Sequence, residues 1–218
     1  MIKSFELEET NLSPNFIGSW IIENSLCDEL VVYFENNHAN HNQGAVGGNA
    51  SINLEAKNRI DLGISPKDIN LSKNKVFKMY FDNLFECYKD FSDKWPYLKK
   101  IASHLNISAF NVGRYETGQH FQSIHCERAG IGTLHRLFAF MTYLNNVEEG
   151  GTTYFDNYNL EIQPKKGLTL IWPAEWTHTH RGNKVIKGNK YMITGHLCFA
   201  VDETQTNLQH SEIFEENI

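Results

Sequence analysis

His125-Cys126-Glu127 sets an imidazole and a carboxylate two residues apart, and on an extended strand positions i and i+2 point to the same face. Those two side chains can meet one ion. A second histidine from a distant strand would complete a two-histidine, one-carboxylate set that leaves three coordination positions open, the pattern that marks non-haem Fe(II) oxygen chemistry. His178 and His180, in the run Trp176-Thr-His-Thr-His-Arg181, both qualify by chemistry. An isolated His-x-Glu pair is a weak signal in a chain with 10 histidines and 26 acids, so its surroundings decide.

The elements that must position these residues change character along the chain. Leu26, Leu30, Val31 and Phe34 recur at helical spacing and predict a helix near Ser25–Asn36. The stretch Asn36–Asn58, rich in Asn, Gly and His, reads as a long loop, a candidate lid over 39–60 or an ordinary surface loop. Its His38 and His41 are too isolated to serve as ligands. Val76, Tyr80, Leu84, Tyr88 and Phe91 then mark the longest helix, stopped by Trp95-Pro96, with a short helical segment over Tyr97–Ser103. From Ile107 onward, short β-branched and aromatic runs are broken by Gly, Asn, Asp and Pro. They predict strands at Ser108–Tyr115, Gln122–Glu127, Leu137–Leu144, Thr153–Phe155, Leu160–Gln163, Leu168–Trp172, Thr177–Arg181 and Lys190–Phe199. The expected fold is mainly β with buttressing helices (α+β), a double-stranded β-helix or jelly-roll barrel of the cupin-like kind. Trp172, Trp176, Phe138, Phe140 and Phe155 read as its core.

A chain of 218 residues is expected to form one domain over 1–218, with a helical part to about 105, a β core over about 106–200 and a tail from 201. The tail, polar apart from Leu208, Ile213 and Phe214, is expected to be partly disordered or to dock as a short helix. A net charge of −6 argues against a nucleic-acid partner. The first residues resemble neither a secretory signal nor a membrane anchor, and the four cysteines show no CxxC spacing, so a cytoplasmic protein with reduced thiols is expected.

From about Asn111 to Leu197 the chain resembles the prolyl-4-hydroxylase-like family of 2-oxoglutarate/Fe(II) oxygenases. The resemblance rests on ordered blocks. Tyr115-Glu-Thr-Gly118-Gln-His-Phe121-Gln-Ser-Ile-His125-Cys-Glu127 is similar to the family's first two-ligand stretch. Arg136, Tyr143-Leu144-Asn145 and Gly150-Gly151-Thr152-Thr153-Tyr154-Phe155 follow, then a turn at Pro164–Gly167 and His180-Arg-Gly182-Asn-Lys-Val185-Ile-Lys-Gly188-Asn-Lys190-Tyr191. The family's spacing from ligand to lysine is ten, and 190 minus 180 is ten, so the resemblance selects His180 over His178. His178, two residues away, is kept as a support for the ligand or a residue facing substrate. Two departures stand out: Glu127 where the family usually has Asp, and Phe121 where it usually has Tyr.

The resemblance implies His125, Glu127 and His180 as catalytic metal ligands, with Fe(II), 2-oxoglutarate and O2 as cofactor and co-substrates and ascorbate as a candidate auxiliary. The far carboxylate of 2-oxoglutarate needs a buried cation, and Lys190 beside Tyr191, Met192 and Ile193 fits, because burying it unpaired would cost several kcal/mol. Tyr115 and Thr194 are the further co-substrate contacts; Tyr115 reads equally well as a core aromatic, and Thr194 as a plain strand position. Arg181 is a candidate partner for an anionic substrate group. The implied reaction is hydroxylation of an unactivated C–H bond, on a prolyl or other residue of a peptide or protein. The alternatives are the same chemistry on a free amino acid or other small molecule, and a non-catalytic metal-holding barrel.

Overall fold

Alternation along Arg136–Tyr143 divides that strand between two cores. Phe138 and Phe140 face the helices, while Ala139, Met141 and Tyr143 face a second sheet. Both faces are covered, so the strand reads as an almost continuous apolar run. The computed structural model describes residues 2–6, 14–47, 51–102, 104–200 and 211–214.

The strand lies centrally in a large antiparallel sheet. One side of the sheet continues through Leu168–Pro173, Gly18–Ile21 and Lys3–Ser4. The other side continues through Lys190–Phe199, Phe110–Tyr115, Ile60–Ile64 and Asn42–Gln43. Leu105–Ile107 pairs with the far end of Lys190–Phe199, and Ser211–Phe214 pairs with Leu105–Ile107. A smaller antiparallel sheet, ordered Leu160–Ile162, Thr153–Phe155, His180–Gly182, Phe121–His125, packs across the inner face. The two sheets make the jelly roll, and the site lies between them.

Helix α1 (Asn24–Asn36) and helix α2 (Lys75–Lys94) cover the outer face of the large sheet. In α2 the buried residues Phe77, Tyr80, Phe81, Leu84, Tyr88 and Phe91 fall three or four apart and form one apolar stripe. Phe81 meets Phe110 edge-on at 4.9 Å between centroids. The Tyr80 hydroxyl lies 2.9 Å from Thr142 Oγ1, itself 2.7 Å from Thr169 Oγ1, so buried hydroxyls satisfy one another across the helix–sheet junction. Helix α3 is a single turn, Leu98–Ile101, shorter than the expected Tyr97–Ser103, of which Ser103 lies outside the described residues.

Several expectations need correction. Thr177–Arg181 is not one strand: Trp176–His178 forms a 3-10 turn, and the strand is His180–Gly182. That turn leaves Trp176 70% exposed instead of in the core, whereas Trp172, Phe138, Phe140 and Phe155 are buried. Strands Gly18–Ile21, Ile60–Ile64 and Leu105–Ile107 were not expected; each is short, and each is stabilised by a partner distant in sequence. The expected loop holds a 3-10 turn at His38–Asn40 and the edge strand Asn42–Gln43, with 48–50 outside the described residues. In the tail, Ser211–Phe214 is a strand where a short helix was one expectation; 201–210 and 215–218 lie outside the described residues.

Candidate active site

Phe121–His125 and His180–Gly182 are neighbouring strands, and His125 and His180 stand directly opposite each other in the register. Directly opposed side chains share a face, so the two rings converge, with centroids 4.4 Å apart. The His125 Nδ1 lies 2.8 Å from the Ser123 carbonyl and the His180 Nδ1 2.9 Å from the His178 carbonyl. Each Nδ1 therefore donates to backbone, which leaves Nε2 as the free lone pair on both rings. Glu127 lies just beyond its strand, where its N–H and that of Arg128 both donate to the Ala174 carbonyl. Its Oε1 sits 3.7 Å from His125 Nε2 and 3.5 Å from His180 Nε2.

The other carboxylate oxygen has its own partner. Glu127 Oε2 is 2.7 Å from His196 Nε2, and the Arg136 guanidinium donates to the Glu127 carbonyl at 3.0 Å. Burial opposes the Glu127 charge, yet His196, His180 and His125 together hold its pKa well below the usual carboxylate value. Burial, reinforced by His180, pushes His125 down to about 4, so its ring stays neutral at pH 7 as a metal ligand must.

At the other end of the same cavity, Lys190 is 1% exposed, and its Nζ donates to the Gly151 carbonyl at 2.8 Å. Gly150 and Gly151 both adopt positive φ, 74° and 67°, which turns that carbonyl toward the lysine; a Cβ on Gly150 would stand 2.4 Å from the Lys184 carbonyl. The Lys190 ammonium also lies 4.3 Å from the centroid of the buried Tyr115 ring. Burial, with Arg59 adding repulsion, pushes Lys190 down to about 7. Arg59 donates to the Tyr115 hydroxyl at 3.0 Å and pairs with Asp61 at 2.6 Å. Lys57 Nζ pairs with Asp61 at 3.0 Å and donates to the Ala45 carbonyl at 3.0 Å.

The cavity measures about 820 Å³ and holds His125, Glu127 and His180 together with Lys190, Tyr115 and Thr194. Ala129, Gly130, Gly132 and Thr133 also line it. Thr194 lines the wall and donates to the Phe140 carbonyl at 3.2 Å. Arg181 and His178 are not brought to the cavity. Arg181, next to an inward ligand, alternates outward, where it pairs with Asp156 and lies 4.3 Å from the Tyr154 ring. His178 is buried in its turn, with Nε2 at 2.9 Å from the Asn15 carbonyl and 3.2 Å from the Tyr158 hydroxyl. Its backbone carbonyl, not its ring, supports His180.

Residues 110–198 match the family described as the 2OG-Fe(II) oxygenase superfamily. Over this stretch the chain is similar to that family. The chain is 30% identical over 127 residues to probable prolyl 4-hydroxylase 9 of Arabidopsis thaliana, a match covering 44% of each chain. The chain thus spans less than half the length of the curated relatives it matches. Among solved structures, it resembles the viral collagen prolyl hydroxylase of Paramecium Bursaria Chlorella virus-1 in its 2OG complex, with TM-score 0.62, 18% identity, and 86% and 98% of the two chains covered. It also resembles a Trichoplax adhaerens prolyl hydroxylase in complex with a hypoxia inducible factor peptide, with TM-score 0.66, 15% identity and 86% of each chain covered. The donor set of His125, Glu127 and His180 fits the metal that the matching family implies. Three donor atoms lie within 4.8 Å of one another, and Glu127 Oε1 at 3.7 and 3.5 Å from the two Nε2 atoms stands somewhat wider than the ~3 Å expected of ligands at right angles about 2.1 Å from one ion. No helix among the described residues is long and apolar enough to cross a membrane.

Proposed function

We propose that this chain is a 2-oxoglutarate- and Fe(II)-dependent dioxygenase that hydroxylates an unactivated C–H bond, on a prolyl residue of a peptide or protein. The carrying observation is the pairing, in one cavity, of the His125–Glu127–His180 donor set with a buried Lys190 that has a carbonyl but no carboxylate partner among the described residues. Burying a lysine without an anion is costly, and a carboxylate ligand reverses that cost. In this reading His125, Glu127 and His180 would hold Fe(II). Lys190, helped by Tyr115 and Thr194, holds the far carboxylate of 2-oxoglutarate and so aims its 2-oxo acid end at the metal. Bound Fe(II) supplies the chemistry by which O2 and 2-oxoglutarate become succinate and CO2 while one oxygen atom enters the C–H bond. His196 and Arg136 hold Glu127 so that one carboxylate oxygen is directed at the ion.

The names of the relatives in Arabidopsis thaliana and Homo sapiens, and the peptide complex of the Trichoplax adhaerens neighbour, support a prolyl substrate in a peptide. Free cysteines at Cys27, Cys87, Cys126 and Cys198 support a reducing compartment such as the cytosol. Anaerobic calorimetry should give one Fe(II) and one 2-oxoglutarate per chain, and aerobic incubation should give slow succinate formation without substrate. A purified, iron-loaded protein that neither binds nor turns over 2-oxoglutarate would refute the reading.

A further inference from the structure

Three cations, Lys57, Arg59 and Lys190, converge on the wall of the cavity, and a single carboxylate, Asp61, pairs with the first two. Lys57, Arg59 and Asp61 alternate along one extended segment leading into Ile60–Ile64, so all three point inward. Lys57 is 6% exposed and Arg59 3%. Asp61 reaches both, and Lys190 stands close enough to Arg59 for each charge to oppose the other. The fold makes room for this cluster at two glycines. A Cβ on Gly44 would lie 2.8 Å from Lys57 Cε and 3.0 Å from an Asp61 oxygen, and one on Gly113 would lie 2.9 Å from the other Asp61 oxygen. Lys57 lies on the metal side of the cluster: its Nζ is 5.4 Å from the Phe121 ring centroid, and that ring stacks on His125 at 4.0 Å.

Charge bookkeeping separates the roles. On the function proposed above, on which this inference rests, Lys190 takes the one carboxylate of 2-oxoglutarate that is free of the metal. Arg59 is paired in charge with Asp61 and donates to the Tyr115 hydroxyl. Lys57 then shares an acid already engaged, and Glu127 is committed to its histidines. A buried cation left over at the wall of a substrate cavity calls for an anion that arrives with the substrate. We propose that Lys57 is a second anion subsite of this cavity, and that the molecule oxidised here carries a carboxylate near the C–H bond that reacts. A free amino acid and an acidic side chain beside the target residue of a peptide offer the same chemistry.

The test is equilibrium binding. The full chain is titrated anaerobically with sodium acetate at constant ionic strength, without and with Fe(II) and 2-oxoglutarate, and followed by thermal midpoint. Wild type should saturate. K57M should raise the half-saturating acetate concentration at least about tenfold while leaving 2-oxoglutarate affinity within about twofold, and D61N, which frees Lys57, should lower it. A destabilised fold would weaken both variants, so the opposite signs guard against misfolding. An absence of saturable acetate binding in wild type overturns the proposal, as does K57M binding acetate like wild type or losing 2-oxoglutarate in parallel. If 2-oxoglutarate fails to bind wild type, the proposed function falls, while the metal-free acetate titration still judges the subsite. L-proline and an N-acetylated Pro-Asp peptide with an amidated C-terminus then distinguish the sources, through which of them shifts the midpoint in wild type and not in K57M.

Discussion

Glu127 has one methylene more than the aspartate usual in the family that this chain resembles; one of its oxygens faces the two histidines and the other meets His196. A ligand whose second oxygen is tied down cannot swing away from the ion. H196A should therefore weaken Fe(II) binding by about 10–100-fold, with H196Q recovering part of the loss, as read by anaerobic titration. Lys190 carries a prediction of sign. Its pKa of about 7 in the ligand-free fold lies below the ordinary 10.5, so stability is fully present above 10.5 and is lost as pH falls through 7. A bound carboxylate favours the charged lysine, so binding takes up a proton above pH 7. The affinity for 2-oxoglutarate should fall by up to about tenfold per unit between pH 7 and 9, and K190M should bind weakly with a flat profile. Calorimetry in buffers of different ionisation enthalpy measures that proton directly.

At the scale of elements, what the sequence made legible follows the range of the interactions. His125 with Glu127, the Gly150-Gly151 turn and the strand Lys190–Phe199 carry local patterns, and the structure brings these residues together. His196 was missed although the alternation that linked Lys190 to Thr194 reaches it one step further on. Lys57 and Arg59 were missed because their segment, framed by Asn and Gly, gives no strand signal of its own and is held by Phe110–Tyr115, about fifty residues away in the chain. Arg181 lies away from the cavity for the converse reason: a residue next to His180 in sequence falls on the opposite face of the strand. The helix–sheet contact is likewise built from distant residues. F81A, which removes a ring packed on Tyr80, Phe110 and Phe140, should cost about 3–5 kcal/mol in denaturant unfolding while sparing the geometry of the metal donors.

For the whole molecule, the cavity stands between two sheets whose inner faces carry the charged residues, so ligands and fold are linked. Fe(II) with 2-oxoglutarate at about a hundred times its dissociation constant should stabilise the protein by about 2.7 kcal/mol, a gain read as a shifted thermal midpoint and abolished in H125A. Lys190, Met192, Thr194 and His196 run down one side of a single strand and line the cavity, with His196 reaching Glu127. Insertion of one residue between Met192 and Ile193 could therefore not be absorbed gradually: with Lys190 held in register, Ile193, Gly195 and Leu197 would turn inward and Thr194 and His196 would pass to the helix side. The strand acts as a ruler with a two-residue graduation, and chain-length changes compatible with this chemistry must fall in the connections at its ends.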